Sequence, residues 1–169
     1  MNKVILICGK ICSGKTIYAK KIAKDVKAVI LSVDEIMLEL FGQYLGDKHD
    51  EIAEKTEKYL FRRTVEIISV GINVILDWGF WRREQRQITT KYFNNLGINV
   101  EWHFIDVDDN TWNNNLSKRN NAIKNNEDKS YFIDENIIKK FHNLFEKPEQ
   151  NEIDIWYKNN RENIYGELF

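Results

Sequence analysis

Val4-Ile5-Leu6-Ile7-Cys8-Gly9-Lys10-Ile11-Cys12-Ser13-Gly14-Lys15-Thr16 runs from an unbroken apolar stretch straight into a loop bounded by two glycines. Five consecutive apolar residues, mostly β-branched or leucine, suit a strand covered on both faces, as in a parallel sheet between helix layers. Residues 9–16 match G-x-x-x-x-G-K-[ST] in full, and the next segment carries a helical period. Strand, glycine loop and helix together are the context that gives this motif meaning. Gly9 and Gly14 permit backbone conformations and close approach that a Cβ would block, so the N–H groups of Lys10, Ile11, Cys12 and Ser13 can turn toward one anion. The positive end of the following helix adds to that field. In such a loop Lys15 bridges the β- and γ-phosphates of a nucleotide, and the Thr16 hydroxyl completes the coordination of Mg²⁺.

Working outward, four later apolar runs resemble the first: residues 28–31, 72–76, 98–105 and, shorter, 153–157. Helical stripes lie between them. Ala19, Ile22, Ala23 and Val26 recur at i, i+3, i+4 and i+7; a second helix runs from near Asp50 to Val70 with Ile52, Thr56, Tyr59 and Leu60 on one face. Ile137, Ile138, Phe141, Leu144 and Phe145 form a third stripe, with Asp134 placed as its N-cap. This alternation predicts an α/β fold: a central parallel five-stranded sheet with helices on both faces. Residues 110–126 are different, with eight asparagines, Lys118, Arg119 and Lys124 and few large apolar side chains. They read either as a weakly packed helical lid over about 110–130 or as an ordinary solvated helix.

The chain has 169 residues, of which 43% are hydrophobic, enough for one domain spanning 1–169 and too apolar for a disordered chain. Lys and Arg number 25 against 26 Asp and Glu. That balance excludes a broad basic field for nucleic acid, so phosphate contacts must be local. The two cysteines lack C-x-x-C spacing, and His49, His103 and His142 have no ligand spacing, which leaves no zinc or disulfide framework. The first apolar run is too short for a membrane span, and a cytoplasmic protein is expected.

In doubly wound sheets ligands bind beyond the carboxyl ends of the strands. Asp34 stands after the second run and Asp77 ends the third. Asp77 is placed to hold Mg²⁺ directly or through its water. Asp34 is a candidate base for an acceptor hydroxyl, or the N-cap of the helix that begins at Glu35, or both. After Asp77 come Trp78-Gly79-Phe80-Trp81-Arg82-Arg83-Glu84-Gln85-Arg86. Trp78, Trp81 and Arg82 are candidates for an acceptor pocket, with Arg83 and Arg86 either aiding them or lying on a solvated helix face. Tyr44 is a further acceptor candidate. Cys12 sits where a helix N-terminus lowers a thiol pKa, but no partner base accompanies it.

Taken together, residues 9–16, Asp34 within Leu31-Ser32-Val33-Asp34-Glu35, Asn73-Val74-Ile75-Leu76-Asp77, Lys118-Arg119, and Phe145-Glu146-Lys147-Pro148 with Glu149 and Glu152 resemble a known group. They are similar to the small P-loop kinases, AAA-type ATP-binding proteins related to polynucleotide kinase, chloramphenicol phosphotransferase and zeta toxin. The resemblance implies the three-layer P-loop NTPase fold with a small helical lid and transfer of the ATP γ-phosphoryl group to a hydroxyl. It also implies Asp34 as base and Arg119 as a lid arginine that meets the nucleotide phosphates. The bulky residues 78–81 depart from the polynucleotide kinase pattern and favour a small-molecule acceptor. The expectation is therefore a kinase using ATP and Mg²⁺ on a small hydroxyl compound. A 5′-hydroxyl polynucleotide kinase and an ATP-binding regulatory module without kinase activity are the alternatives.

Overall fold

The apolar runs form five strands: β1 (Lys3–Gly9), β2 (Ala28–Leu31), β3 (Asn73–Asp77), β4 (Asn99–Val107) and β5 (Ile155–Asn159). They make one parallel sheet in the order β2-β3-β1-β4-β5. The structure, a computed structural model, describes residues 2–43 and 45–160. Its helices are α1 (Lys15–Asp25), α2 (Val33–Phe41), α3 (His49–Ser69), α4 (Arg83–Asn95), α5 (Asp109–Lys124) and α6 (Glu135–Leu144).

Residues Val4 to Cys8 of β1 are each at most 1% exposed, because the strand is central and covered on both faces. Val4, Leu6 and Cys8 point toward α2, α3 and α4, where Met37, Leu60 and Phe93 meet them. Ile5 and Ile7 point the other way, onto Tyr18, Ala19 and Ile22 of α1. Burying each such aliphatic side chain stabilises by about 1.5–3 kcal/mol, so β1 is the axle on which the three layers are mounted.

A third cluster lies at the strand ends, where Ile11, Val107, Trp112, Ile133 and Phe141 tie α5 and α6 to the glycine loop. Most of residues 110–126 thus belong to one helix, α5, anchored through a buried tryptophan in its first turn, with the rest of the helix exposed or half-buried. Asp134 caps α6 by accepting from the Ile137 N–H at 2.8 Å. Tyr59, expected on the buried face of α3, is 47% exposed and lies against the Arg63 guanidinium. The inward face of α3 instead carries Ala53, Leu60, Phe61 and Thr64. Among the described residues no helix is long and apolar enough to cross a membrane.

Candidate functional site

The loop between β1 and α1 is built to leave no room at its two glycines. Gly9 has φ +152°, and a Cβ there would lie 2.8 Å from the Ile105 carbonyl oxygen. Gly14 has φ +95°, and its Cβ would meet Asn159 Nδ2 at 2.6 Å. The neighbouring chain also sets the direction of the loop's donors. Trp112 Nε1 donates to the Ile11 carbonyl at 2.8 Å, and Asn159 Nδ2 donates to the Ser13 carbonyl at 2.7 Å. In a trans peptide the carbonyl and the next N–H point in opposite directions. Holding those two carbonyls outward therefore turns the Cys12 and Gly14 N–H groups toward the concave side. Asn115 adds a third strut, donating to the Cys12 carbonyl at 3.0 Å. Helix α1 has no side-chain cap and no acidic residue in its first turn, so its leading N–H groups and positive end are open to an anion.

Lys15 Nζ donates to the carbonyls of Lys10 at 2.7 Å and Gly9 at 3.3 Å. Burial pulls its pKa down, and the carboxylates of Asp77 and Asp34 push it back up. Thr16 Oγ1 donates to Asp77 Oδ2 at 2.6 Å, which joins the start of α1 to the end of β3. The Asp77 carboxyl is raised above the usual carboxylate range, chiefly by burial, against the lowering effects of Thr16 and Lys15. A hydroxyl and a carboxylate oxygen side by side are the hard oxygen donors that Mg²⁺ takes from a protein when phosphates and water supply the rest. The donor set at Thr16 and Asp77 fits that ion.

The raised Asp77 carboxyl has a consequence for stability. A group that binds its proton more tightly in the native state than in the unfolded chain makes stability fall as pH rises from its unfolded value to its native one. Above both, the buried carboxylate is a standing cost. Asp77→Asn is expected to raise the melting temperature without nucleotide at pH values where the native carboxyl is ionised, by about 2–4 °C for each kcal/mol of that cost. Differential scanning fluorimetry across pH checks this, and a lower melting temperature would show that the carboxylate is a net stabiliser.

Asp34 is exposed in the first turn of α2, and the N-cap is Ser32, whose Oγ accepts from the Glu35 N–H. The capping role considered for Asp34 therefore belongs to Ser32. Asp34 follows β2 on the carboxyl edge of the parallel sheet that also carries the phosphate loop and Asp77, and its charge contributes at Lys15, Asp77, Glu57 and Tyr131. Arg119 on α5 is held by the Tyr131 carbonyl at 3.0 Å and reaches the Cys12 sulfur at 3.9 Å. Burial raises the Cys12 thiol, and raises Cys8 to about 12, so neither is disposed to be a thiolate nucleophile.

The acceptor-side candidates divide. Trp78 is in the core, 6% exposed, stacked on Phe80, with Nε1 donating to the Leu31 carbonyl at 3.2 Å. It packs in the core against Phe61 and Phe80 and so does not form an open acceptor wall. Trp81 and Arg82 line a cavity of about 500 Å³. Arg86 is 3% exposed and bound to Glu152, and Arg83 pairs with Glu149 and Glu152. Arg86 is thus buried in an ion pair, and Arg83, half-exposed, is engaged by two carboxylates. Their partners follow directly on the Phe-Glu-Lys-Pro segment, whose Glu146 N–H donates to the Trp81 carbonyl at 2.8 Å. Tyr44 lies outside the described residues.

Sequence reading missed Glu57, Asn115 and Asn159. Glu57 lines the cavity, and its carboxyl is raised by burial first and then by Glu54 and Asp34. It had a visible signal: with Ala53, Leu60, Phe61 and Thr64 it occupies one helical stripe, an acid where apolar residues are due. Asn115 is one asparagine among many, and nothing in its neighbours distinguishes it.

Comparison with known proteins bears on this arrangement. The family model described as an AAA domain matches residues 4–148. No curated protein matches the sequence. A sugar kinase from Janibacter superposes with a TM-score of 0.63 at 17% identity, over 94% of this chain and 86% of its own. The APS kinase CysC of Mycobacterium tuberculosis, solved with AMPPNP and APS, gives 0.63 at 17% identity, over 95% and 90%. A chain of the Pnkp1/Rnl/Hen1 RNA repair complex gives 0.65 at 18% identity, with 85% of this chain covering 43% of that one. These likenesses establish a three-layer, P-loop kinase-like fold.

Proposed function

We propose that this chain, which belongs to the AAA domain family, is a cytoplasmic phosphotransferase that moves the γ-phosphoryl group of ATP to a hydroxyl of a small molecule. One observation carries the reading. Asp34 stands exposed just after β2, on the same carboxyl edge of the parallel sheet as the phosphate loop after β1 and Asp77 at the end of β3, the edge beyond which ligands bind in such sheets. A nucleotide switch or a plain binding module needs no such group.

In this reading the loop N–H groups and the α1 terminus hold the β-phosphate, and Lys15 exchanges its carbonyl partners for β- and γ-phosphate oxygens. Anionic phosphates there restore the ammonium's preference for its charged form, reversing the effect of burial. Thr16 and Asp77 would hold Mg²⁺, whose charge would offset that of the nucleotide phosphates. Arg119, on the lid side of Cys12, offsets charge on the transferring group. Asp34 accepts the proton of the acceptor hydroxyl as its oxygen bonds to the γ-phosphorus, the bond to the β–γ bridging oxygen breaks and ADP leaves. Catalysis is then positioning and charge stabilisation, with α5 already packed on the loop through Trp112 and Asn115.

The test is Asp34→Asn. Transfer to the acceptor is expected to fall by about 10²–10⁴-fold, the range for loss of a general base, while ATP affinity by titration calorimetry stays within about twofold. Full transfer activity in that variant would remove Asp34 from the role. The ion pairs of Arg83 and Arg86 also weigh against a nucleic-acid acceptor, since they withdraw two cations from the site's rim.

A further inference from the structure

Residues 130–133, between α5 and α6, belong to neither helix nor sheet, yet side chains pair with their backbone on two edges. On one edge Asn120 of α5 behaves as a neighbouring strand would: its Nδ2 donates to the Ile133 carbonyl at 2.8 Å, and its Oδ1 accepts from the Ile133 N–H at 3.0 Å. Gln43, just past α2, does the same on the other edge. Its Nε2 donates to the Ser130 carbonyl at 2.7 Å, and its Oε1 accepts from the Phe132 N–H at 3.4 Å. Successive residues of an extended segment turn their backbone groups to opposite edges, so each amide takes its own side. Arg119 joins the Asn120 edge, donating from Nε to the Tyr131 carbonyl at 3.0 Å and reaching the Cys12 sulfur of the phosphate loop with Nη1 at 3.9 Å.

We propose that Asn120 and Gln43 are positioning residues for Arg119: they fix the backbone of residues 130–133 so that the Tyr131 carbonyl holds the guanidinium at the phosphate loop before nucleotide arrives. This inference rests on the role given to Arg119 above and deepens it by assigning what sets that residue in place. A long arginine side chain has many rotamers, and a single carbonyl on a free loop would not select one. Here the carbonyl is itself placed by the pairing on both edges, and once Nε is fixed the rigid planar fork carries Nη1 to the loop. A cation preset in this way needs no reorganisation when charge develops on the transferring group. Gln43 also follows the helix that carries Asp34, so the same pairing joins the acid-bearing helix to the arginine-bearing one. Asn120 and Gln43 act through Arg119, and the chemical step stays with Asp34.

The position of Arg119 can be read without any turnover, from the Cys12 thiol beside it. The full chain without nucleotide is treated with iodoacetamide across pH, and modification of Cys12 is followed by mass spectrometry. Cys8, 1% exposed with its thiol raised to about 12, stays silent. Burial raises the Cys12 thiol, while Arg119 and Lys15 lower it. Loss of the guanidinium therefore moves the midpoint of alkylation to higher pH, whereas simple loosening of the segment exposes the thiol and moves it lower. Arg119→Ala, Asn120→Ala and Gln43→Ala are each expected to shift it upward, and Asn120→Ala is expected to add nothing in the Arg119→Ala background. In the transfer assay the two amide variants are expected to lower kcat about 10- to 100-fold, the scale of a small misplacement, with KM for ATP changed far less. Should Asn120→Ala fail to fold, Gln43→Ala carries the test from the other edge. The inference falls if Arg119→Ala leaves the midpoint unmoved, if the amide variants keep the parent's midpoint or lower it, or if they keep the parent's kcat where Arg119→Ala does not. Shared upward shifts with no transfer by the parent protein leave the inference standing and overturn the kinase reading instead.

Discussion

Lys15→Met is expected to lower phosphoryl transfer by about 10³-fold or more, the scale set by removing a charge that stabilises a transferring phosphoryl group, without unfolding the protein. The ammonium sits in a buried position where its pKa is pulled down. A lysine whose native pKa lies below its unfolded value makes stability rise with pH between those two values, so burial of the charged side chain opposes folding wherever the native state keeps it charged. Methionine keeps the length of the stem and removes that charge. The melting temperature without nucleotide should therefore hold or rise, even though the Gly9 and Lys10 carbonyls lose a donor. A labelled-ATP transfer assay beside a thermal melt separates the two effects. Transfer within tenfold of the parent would show that the loop amides and Arg119 suffice, and a large fall in melting temperature would show that the ammonium holds the loop together.

That contrast reflects what could be read from the chain before its fold was seen. The glycine loop was legible because its chemistry is local: Gly9, Gly14, Lys15 and Thr16 act through backbone geometry over eight consecutive residues. The strands were legible because burial on both faces leaves continuous apolar runs, and β2 falls on residues 28–31 as read. Reading failed where a residue's partner lies far along the chain. Ser32, two residues before Asp34, takes the cap, a local contest that sequence left open. Trp112 and Asn159, 101 and 146 residues from their loop partners, aim the loop's peptides, and no spacing rule links them. Arg86 looked like surface because arginines usually are. Its environment is made by Glu146 and Glu152, 60 and 66 residues away.

Arg86→Met should be the most damaging single change outside the phosphate loop, at about 3–5 kcal/mol, the usual result of breaking a buried ion pair by removing one partner. Arg86 Nε and Nη2 donate to Glu152 Oε2 at 3.0 and 2.7 Å, and Nη1 points at the carbonyls of Phe80, Glu146 and Trp81 at 3.2, 3.1 and 3.4 Å. One guanidinium thus spans the turn after β3 and the Phe-Glu-Lys-Pro segment. Methionine fills part of the volume but leaves the Glu152 charge with only the half-exposed Arg83 and strips a donor from three carbonyls. A fall in melting temperature of roughly 6–20 °C follows at 2–4 °C per kcal/mol for this size. Lysine should rescue little, since a single ammonium cannot reproduce the planar fork. Adding Glu152→Gln to Arg86→Met should recover part of the loss, because the second change removes the stranded charge, and the double-mutant cycle measures the coupling. A fall below about 1 kcal/mol, or no recovery in the double variant, would mean that the pair is solvated and weak. The turn it anchors carries Trp81 and Arg82, two of the acceptor candidates, so acceptor KM should rise in Arg86→Met even at temperatures where the chain stays folded, while ATP affinity, governed by the loop after β1, changes little.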